Sequence, residues 1–322
     1  MNRGARRLFS AAAALLPSSW LHRWLSWSTR DLCIALCFHR VNRDRRASDP
    51  LPEQTVAPEV LDELLAFLAT SMPAAPAQLF LCFDDGYADA ARYVAARAAR
   101  HPSIQWLFLV CPEKIEKRAC FRWDLFESTA NRGEVALDAF LETNLSVDFE
   151  NQRPELRELA QRETFALATV EACAQLGSMR NVSLGNHTNC HFRLSRLPRE
   201  EAERELKSSM ADFERLWGTC RHLAFPFGTP KEDFTSDHVE MINKMGPALL
   251  WSTEQRPFRP AEVIPGAVLP RLTVYQFANP KAMVTKICLL ATLFRCRSQS
   301  QATPATDVPS APGLPPVKPG NC

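Results

Sequence analysis

No Cys-x-x-Cys pair occurs anywhere in the chain, although it contains 11 cysteines. That absence removes the two chemistries that paired cysteines announce, a zinc ribbon and a thioredoxin-like redox centre. The cysteines are odd in number and scattered, most of them inside apolar stretches such as 32–38 and 79–83, where a thiol reads as a small buried hydrophobe. This usage fits a reducing compartment, the cytoplasm, better than secretion. A run of about 18 apolar residues is also missing, so no segment reads as a membrane span. Nor does one sign of charge dominate. The 38 basic residues face 36 acidic ones, a net +2, which gives no general footprint for nucleic acid. There is no internal repeat.

What is present is an ordinary globular composition, 46% hydrophobic and 23% charged over 322 residues, enough to bury a sizeable core. An α/β barrel takes about 250 residues as one unit, so one barrel with tails is the expected plan. Residues 1–30 place Arg3, Arg6 and Arg7 before an apolar stretch. They then interleave Trp20, Leu21, Trp24, Leu25 and Trp27 with His22, Arg23 and Arg30. Three readings fit: a basic amphipathic helix making peripheral contact with a membrane, a helix closing one end of the barrel, or a secretory signal without a clean cleavage site.

Apolar runs of strand length recur at 32–38, 79–83, 104–110, 181–185, 221–225, 247–251 and 267–273, with helical patterns in most of the gaps. Such alternation means a parallel sheet. The clearest helix follows Pro198, where Leu206, Met210, Phe213 and Trp217 share one face, charged residues fill the other and Gly218 ends it. Others are expected from Pro58, from Pro154 towards Gly177, and over 276–301. The aperiodic stretch 119–153 reads as an insertion over one barrel end, and the proline-rich 302–322 as a disordered tail. The barrel is thus expected over 31–275.

Three elements carry chemistry. The strand 79–83 runs into Asp84-Asp85-Gly86, two carboxylates and a turn-forming glycine where a barrel keeps its catalytic groups. Alone, the triplet is equally a polar turn. After the strand at 181–185 come His187 and His191; at this spacing both imidazoles can face one ion, and a carboxylate from elsewhere would leave an open position for water. Cys190 between them is either a further ligand or a packed thiol. The third element, Ala224-Phe225-Pro226-Phe227-Gly228, by itself says only that a strand ends.

Together, in this order, these elements resemble the three motifs of the polysaccharide deacetylases, carbohydrate esterase family four, over roughly 34–273. Residues 36–41 and 269–274 resemble segments of the branch that acts on exopolysaccharides, including poly-N-acetylglucosamine. The resemblance implies a distorted (β/α)7 barrel and a divalent metal, zinc or else cobalt or nickel, held by Asp85, His187 and His191. It implies Asp84 as general base, the Phe227 backbone N–H as oxyanion donor and, by a permuted element, His39 as general acid, since no histidine follows His238. The arginine that orients the base in many relatives is Ala224 here, and Arg271 is the candidate substitute. Trp123 and Asp124 read equally as lining a substrate cleft or as a packed ring and a solvated turn, and Pro226 is a further candidate for the cleft. His101, His222 and His238 lie outside the motifs.

The implied activity is N-deacetylation of an acetamido sugar in a polysaccharide or its precursor. Two alternatives stand beside it: a deacylase of a lipid-linked sugar at a membrane surface, and a carbohydrate-binding barrel without turnover.

Overall fold

The computed structural model describes residues 3–43, 54–72, 79–124, 165–246, 249–274, 277 and 279–301. Eight strands form one parallel sheet: β1 (Ile34–Phe38), β4 (Leu79–Phe83), β5 (Gln105–Val110), β6 (Val182–Asn186), β7 (His222–Ala224), β8 (Leu249–Trp251), β9 (Val268–Leu269) and β10 (Leu272–Thr273). Their order is β10-β1-β4-β5-β6-β7-β8-β9. The seventh expected strand is therefore two. Pro270 cannot donate to a ladder, and across Pro270-Arg271 the chain leaves β8 and pairs with β1 instead, Leu36 opposite Leu272. The two edges of the sheet are thus separated by two residues, which curls it into a distorted barrel. A small parallel pair, β2 (Arg40–Val41) and β3 (Thr55–Val56), lies outside it.

Side chains alternate across each strand, and the two core clusters follow that alternation. Ile34, Leu36, Phe38, Leu81, Phe83 and Phe108 pack under the helices. Cys33, Ala35, Phe80, Cys82, Leu107 and Leu109 fill the barrel interior with Ala224, Trp251 and Leu269. Continuing the interior rows by two residues leads from Ala35 and Cys37 to His39, and from Phe80 and Cys82 to Asp84. The period of the strands therefore aims both groups into the barrel mouth.

The helices are α1 (Arg3–Ala14), α2 (Ser18–Ser28), α3 (Pro58–Ser71), α4 (Ala88–Arg97), α5 (Pro112–Lys117), α6 (Val170–Gly177), α7 (Arg199–Trp217), α8 (Ser236–Met245) and α9 (Pro280–Gln301). The amphipathic N-terminal helix is broken into α1 and α2, because Pro17 disfavours helical geometry at the residue before it. Of the stretch expected to be helical from Pro154 towards Gly177, the described part carries α6 from Val170, where the Thr169 side chain caps Ala172 N–H at 3.1 Å. Most of the expected insertion, the start of that stretch and the tail 302–322 lie outside the described residues. α9 packs against α1, α2 and α3, so the first and last described helices share one layer. Among the described residues no helix is long and apolar enough to cross a membrane.

Candidate active site

Asp84 and Asp85 follow β4 directly, and Asp85 and Gly86 both have positive φ, 72° and 81°. This sharp turn breaks the strand alternation, so two consecutive carboxylates can serve different sides of one mouth. Gly86 is constrained twice, since a Cβ there would sit 3.0 Å from Ile115 Cδ1. Asp84 Oδ1 accepts from Arg271 Nη1 at 2.6 Å, and the Cys37 thiol approaches its Oδ2 at 3.4 Å. Burial alone would raise the Asp84 pKa, but the Arg271 guanidinium, with His187 and His39, outweighs it and holds the carboxyl at about 2. Asp85 has no guanidinium bonded to it among the described residues: burial, and then the neighbouring Asp84 charge, push its carboxyl well above the usual range.

His187 and His191 sit on a loop after β6 rather than on a helix. The loop is held by Asn186 Oδ1, which accepts from Thr188 N–H at 2.7 Å, and by Glu205 of α7, whose Oε1 accepts from the N–H groups of Asn189 and Cys190 at 2.8 and 2.7 Å. Glu205, one of the charged residues of α7, is thus buried. Thr188 and His191 have φ of 62° and 54°, and this bend turns both imidazoles inward. His187 Nδ1 donates to Ala224 O at 2.9 Å, which leaves Nε2 as the free lone pair. Burial holds both imidazoles below their usual pKa, in the neutral form that binds metals.

His191 Nε2 lies 3.2 Å from His187 Nε2 and 3.3 Å from Asp85 Oδ1, and His187 Nε2 lies 3.6 Å from Asp85 Oδ1. A tetrahedron with metal–ligand bonds of about 2.0–2.1 Å has edges of about 3.3–3.4 Å. Asp85 Oδ1 is buried and has no hydrogen-bond donor among the described residues. Two neutral imidazoles, one carboxylate and an oxygen that needs a cation fit a zinc-type ion. The Cys190 thiol lies outside this group of ligand atoms.

His39 follows β1, and its ring lies within 4.8 Å of Asp84 and Cys37 ligand atoms. Burial, against the opposing pull of Asp84, lowers its pKa to about 4. Phe227 has φ 59° and accepts at its carbonyl from Thr253 Oγ1 at 2.8 Å, while its N–H donates to no backbone acceptor among the described residues. Its ring packs on His191 at 5.0 Å and carries the Arg193 guanidinium at 4.3 Å.

These groups open into a cavity of about 890 Å³ lined by His39, Asp84, Asp85, His187, His191 and Phe227 among others. Trp123 joins that lining, its ring edge-on to His191 at 4.9 Å and its Nε1 donating to Tyr87 OH at 3.0 Å. Asp124 and Pro226 do not. Asp124 is buried, accepting from Phe121 N–H at 2.7 Å, and Pro226 is buried as well. His222 accepts from Trp251 Nε1 at 3.3 Å and His238 from Thr235 N–H at 3.0 Å, both structural positions. Glu205 and Cys37 were not singled out from the sequence. Cys37 was legible in the period-two row ending at His39, whereas Glu205 carried no local signal.

No protein-family model matches the chain, and no curated protein sequence does. Its fold does match solved structures. IcaB from Ammonifex degensii superposes with a TM-score of 0.53 at 16% identity, covering 81% of this chain and 97% of that one. A polysaccharide deacetylase from Bacillus cereus gives 0.50 at 13% identity, covering 80% and 69%. The Streptococcus pyogenes deacetylase PplD, solved in complex with acetate, gives 0.50 at 13%, covering 80% and 98%. Identity this low speaks to architecture alone. With its parallel curled sheet and flanking helices, this chain has the distorted βα barrel fold of the polysaccharide deacetylases.

Proposed function

We propose that this chain is a metal-dependent hydrolase that removes the acetyl group from the nitrogen of an amino sugar in a polysaccharide or its precursor. The observation that carries the reading is the pair of carboxylates at one mouth. Asp85 faces two neutral imidazoles at 3.3 and 3.6 Å, while Asp84 is held apart as an anion by Arg271.

Asp85, His187 and His191 would hold the ion, most suitably zinc, with cobalt or nickel as substitutes. When bound, it supplies Lewis acidity, which acidifies water and polarises an amide carbonyl. Asp84 takes a proton from the attacking water, and Arg271 fixes the carboxylate that does so. As water adds to the carbonyl carbon, the Phe227 N–H donates to the oxygen that becomes negative. His39, neutral in the free site, takes up the proton that Asp84 removed from water and hands it to the nitrogen as the C–N bond breaks, so acetate and a free amine leave. Trp123 and Phe227 wall the site with apolar rings against which a sugar face can pack.

Acetate release from N-acetylglucosamine oligomers tests this, with chelator, with zinc or cobalt restored, and with Asp84→Asn as the blank. Release that requires both the metal and Asp84 is the expected result. Sugar binding without release, from folded protein that contains metal, would replace the reading with a carbohydrate-binding barrel.

A further inference from the structure

The near-neutral chain hides a sharp segregation of charge. Residues 3–30 and 280–301 contain nine Arg and Lys and no Asp or Glu, while the rest of the chain has 29 basic against 36 acidic residues. These segments form one layer: Trp24 Nε1 donates to Thr292 Oγ1 at 3.1 Å, and Lys281 Nζ to Leu16 O at 2.9 Å. The same layer exposes apolar side chains. Of the seven large hydrophobics exposed among the described residues, six belong to it: Leu8, Leu15, Trp20, Trp27, Leu289 and Leu293. Leu8 and Leu15 are 75% and 85% exposed, which no packing role among the described residues explains.

The layer is continuous with the catalytic cavity. Lys286, Leu289, Leu290 and Leu293 form one stripe of α9 beside its buried Val284, Ile287, Cys288 and Ala291, and that stripe lines the same cavity as Asp84 and His187. Phe9 of α1, 5.3 Å from Phe277, continues the wall. A free sugar polymer leaves such a wall wet and unsatisfied, whereas an alkyl chain covers it. Lys286 donates to Thr273 O at 2.6 Å from within the wall, which places its amine between the apolar end and the catalytic end.

We propose that the α1–α2–α9 face seats the protein on an anionic lipid bilayer, and that the sugar entering the cavity is carried on a lipid whose chain lies along Phe9, Leu289 and Leu293. Lys286 then meets the phosphate joining sugar to lipid. The substrate part rests on the deacylase reading; the bilayer part does not. The wholly basic charge of the helices that make this face favours anionic lipid over a second copy of the chain or a protein partner.

The test has two readouts on the full chain. Sedimentation with vesicles of phosphatidylcholine alone and of phosphatidylcholine mixed with phosphatidylglycerol should give binding to the mixed vesicles only. Binding should fall by at least about tenfold in high salt and in the triple variant Leu8→Ser, Leu15→Ser, Trp27→Ser, whose positions are exposed and whose melting temperature controls for folding. Deacetylation of N-acetylglucosamine on a polyprenyl phosphate in those vesicles should exceed that of a soluble oligomer by at least about tenfold in kcat/KM, and Leu293→Asp should erase that ratio. Equal kcat/KM on the two substrates overturns the lipid-linked substrate. Indifference to both vesicles overturns the bilayer, and a dimer abolished by the triple variant would then assign the face to a second copy. Vesicle binding with no turnover of either substrate upholds the bilayer and overturns the deacylase reading instead.

Discussion

Arg271 and Asp84 stand 187 residues apart in the chain and are joined in the site by a 2.6 Å hydrogen bond between Nη1 and Oδ1. Both side chains are buried, so neither charge has water to fall back on. Arg271→Met should destabilise the protein by about 3–5 kcal/mol, the cost of leaving one partner of a buried ion pair uncompensated. It should also lower kcat by about a hundredfold or more with metal content retained. Urea unfolding, acetate release and metal analysis read the three effects separately; retained kcat would remove Arg271 from the proton-transfer machinery.

The donor set of Asp85, His187 and His191 predicts one tightly held divalent ion. His187→Ala or Asp85→Asn should take metal content from about one ion per chain to near zero, and zinc should raise the melting temperature of the wild type only. A ligand at 100 times its Kd contributes about 2.7 kcal/mol of stability, so the shift is readable by thermal melting. Unchanged metal content in either variant would place the ion elsewhere.

Glu205 is expected to matter without touching the reaction. Its Oε1 accepts two buried N–H groups of the histidine loop, at 2.8 and 2.7 Å. Glu205→Leu orphans both and should cost about 2–4 kcal/mol, with metal affinity weakened about 10–100-fold through the loosened loop. Glu205→Gln keeps an acceptor and should recover most of both. Equal behaviour of the two variants would argue that packing, not the hydrogen bonds, is what the position supplies.

Thiol chemistry offers a check on the fold itself. Burial pushes the thiols of Cys82, Cys173, Cys220 and Cys288 up to about 12 and, with Glu262, that of Cys33 to about 11. Cys296 is exposed. Because the thiolate is the nucleophile, iodoacetamide at pH 8 should label Cys296 in the native protein and leave Cys37 and Cys82 intact until denaturant is added. Labelling of Cys82 before unfolding would mean that the barrel interior is open.

Much of this site is readable in one dimension because its causes are local. Strand periodicity places Asp84 on the interior row of Phe80 and Cys82, and Gly86 signals the turn that lets Asp85 face the imidazoles. The Pro58 and Gly218 boundaries of α3 and α7 hold for the same reason, since each depends on backbone geometry within a few residues. What the sequence leaves open is packing. Asp124 and Pro226 are both buried in the fold, which no local pattern announces.

The sequence alone determines the alternation of strands and helices, the inward rows of the barrel and the presence of a carboxylate and histidine set, all consequences of residue period and turn chemistry. Tertiary structure alone decides what those groups meet. It splits the last strand at Pro270-Arg271 and so carries a guanidinium to Asp84. It also draws Glu205 under the histidine loop and lays the apolar stripe of α9 along the cavity. The first and last of these exist only once the sheet closes and brings together segments far apart in the chain, and Glu205 reaches its loop only when α7 packs back on it; no local pattern encodes which side chain will be there.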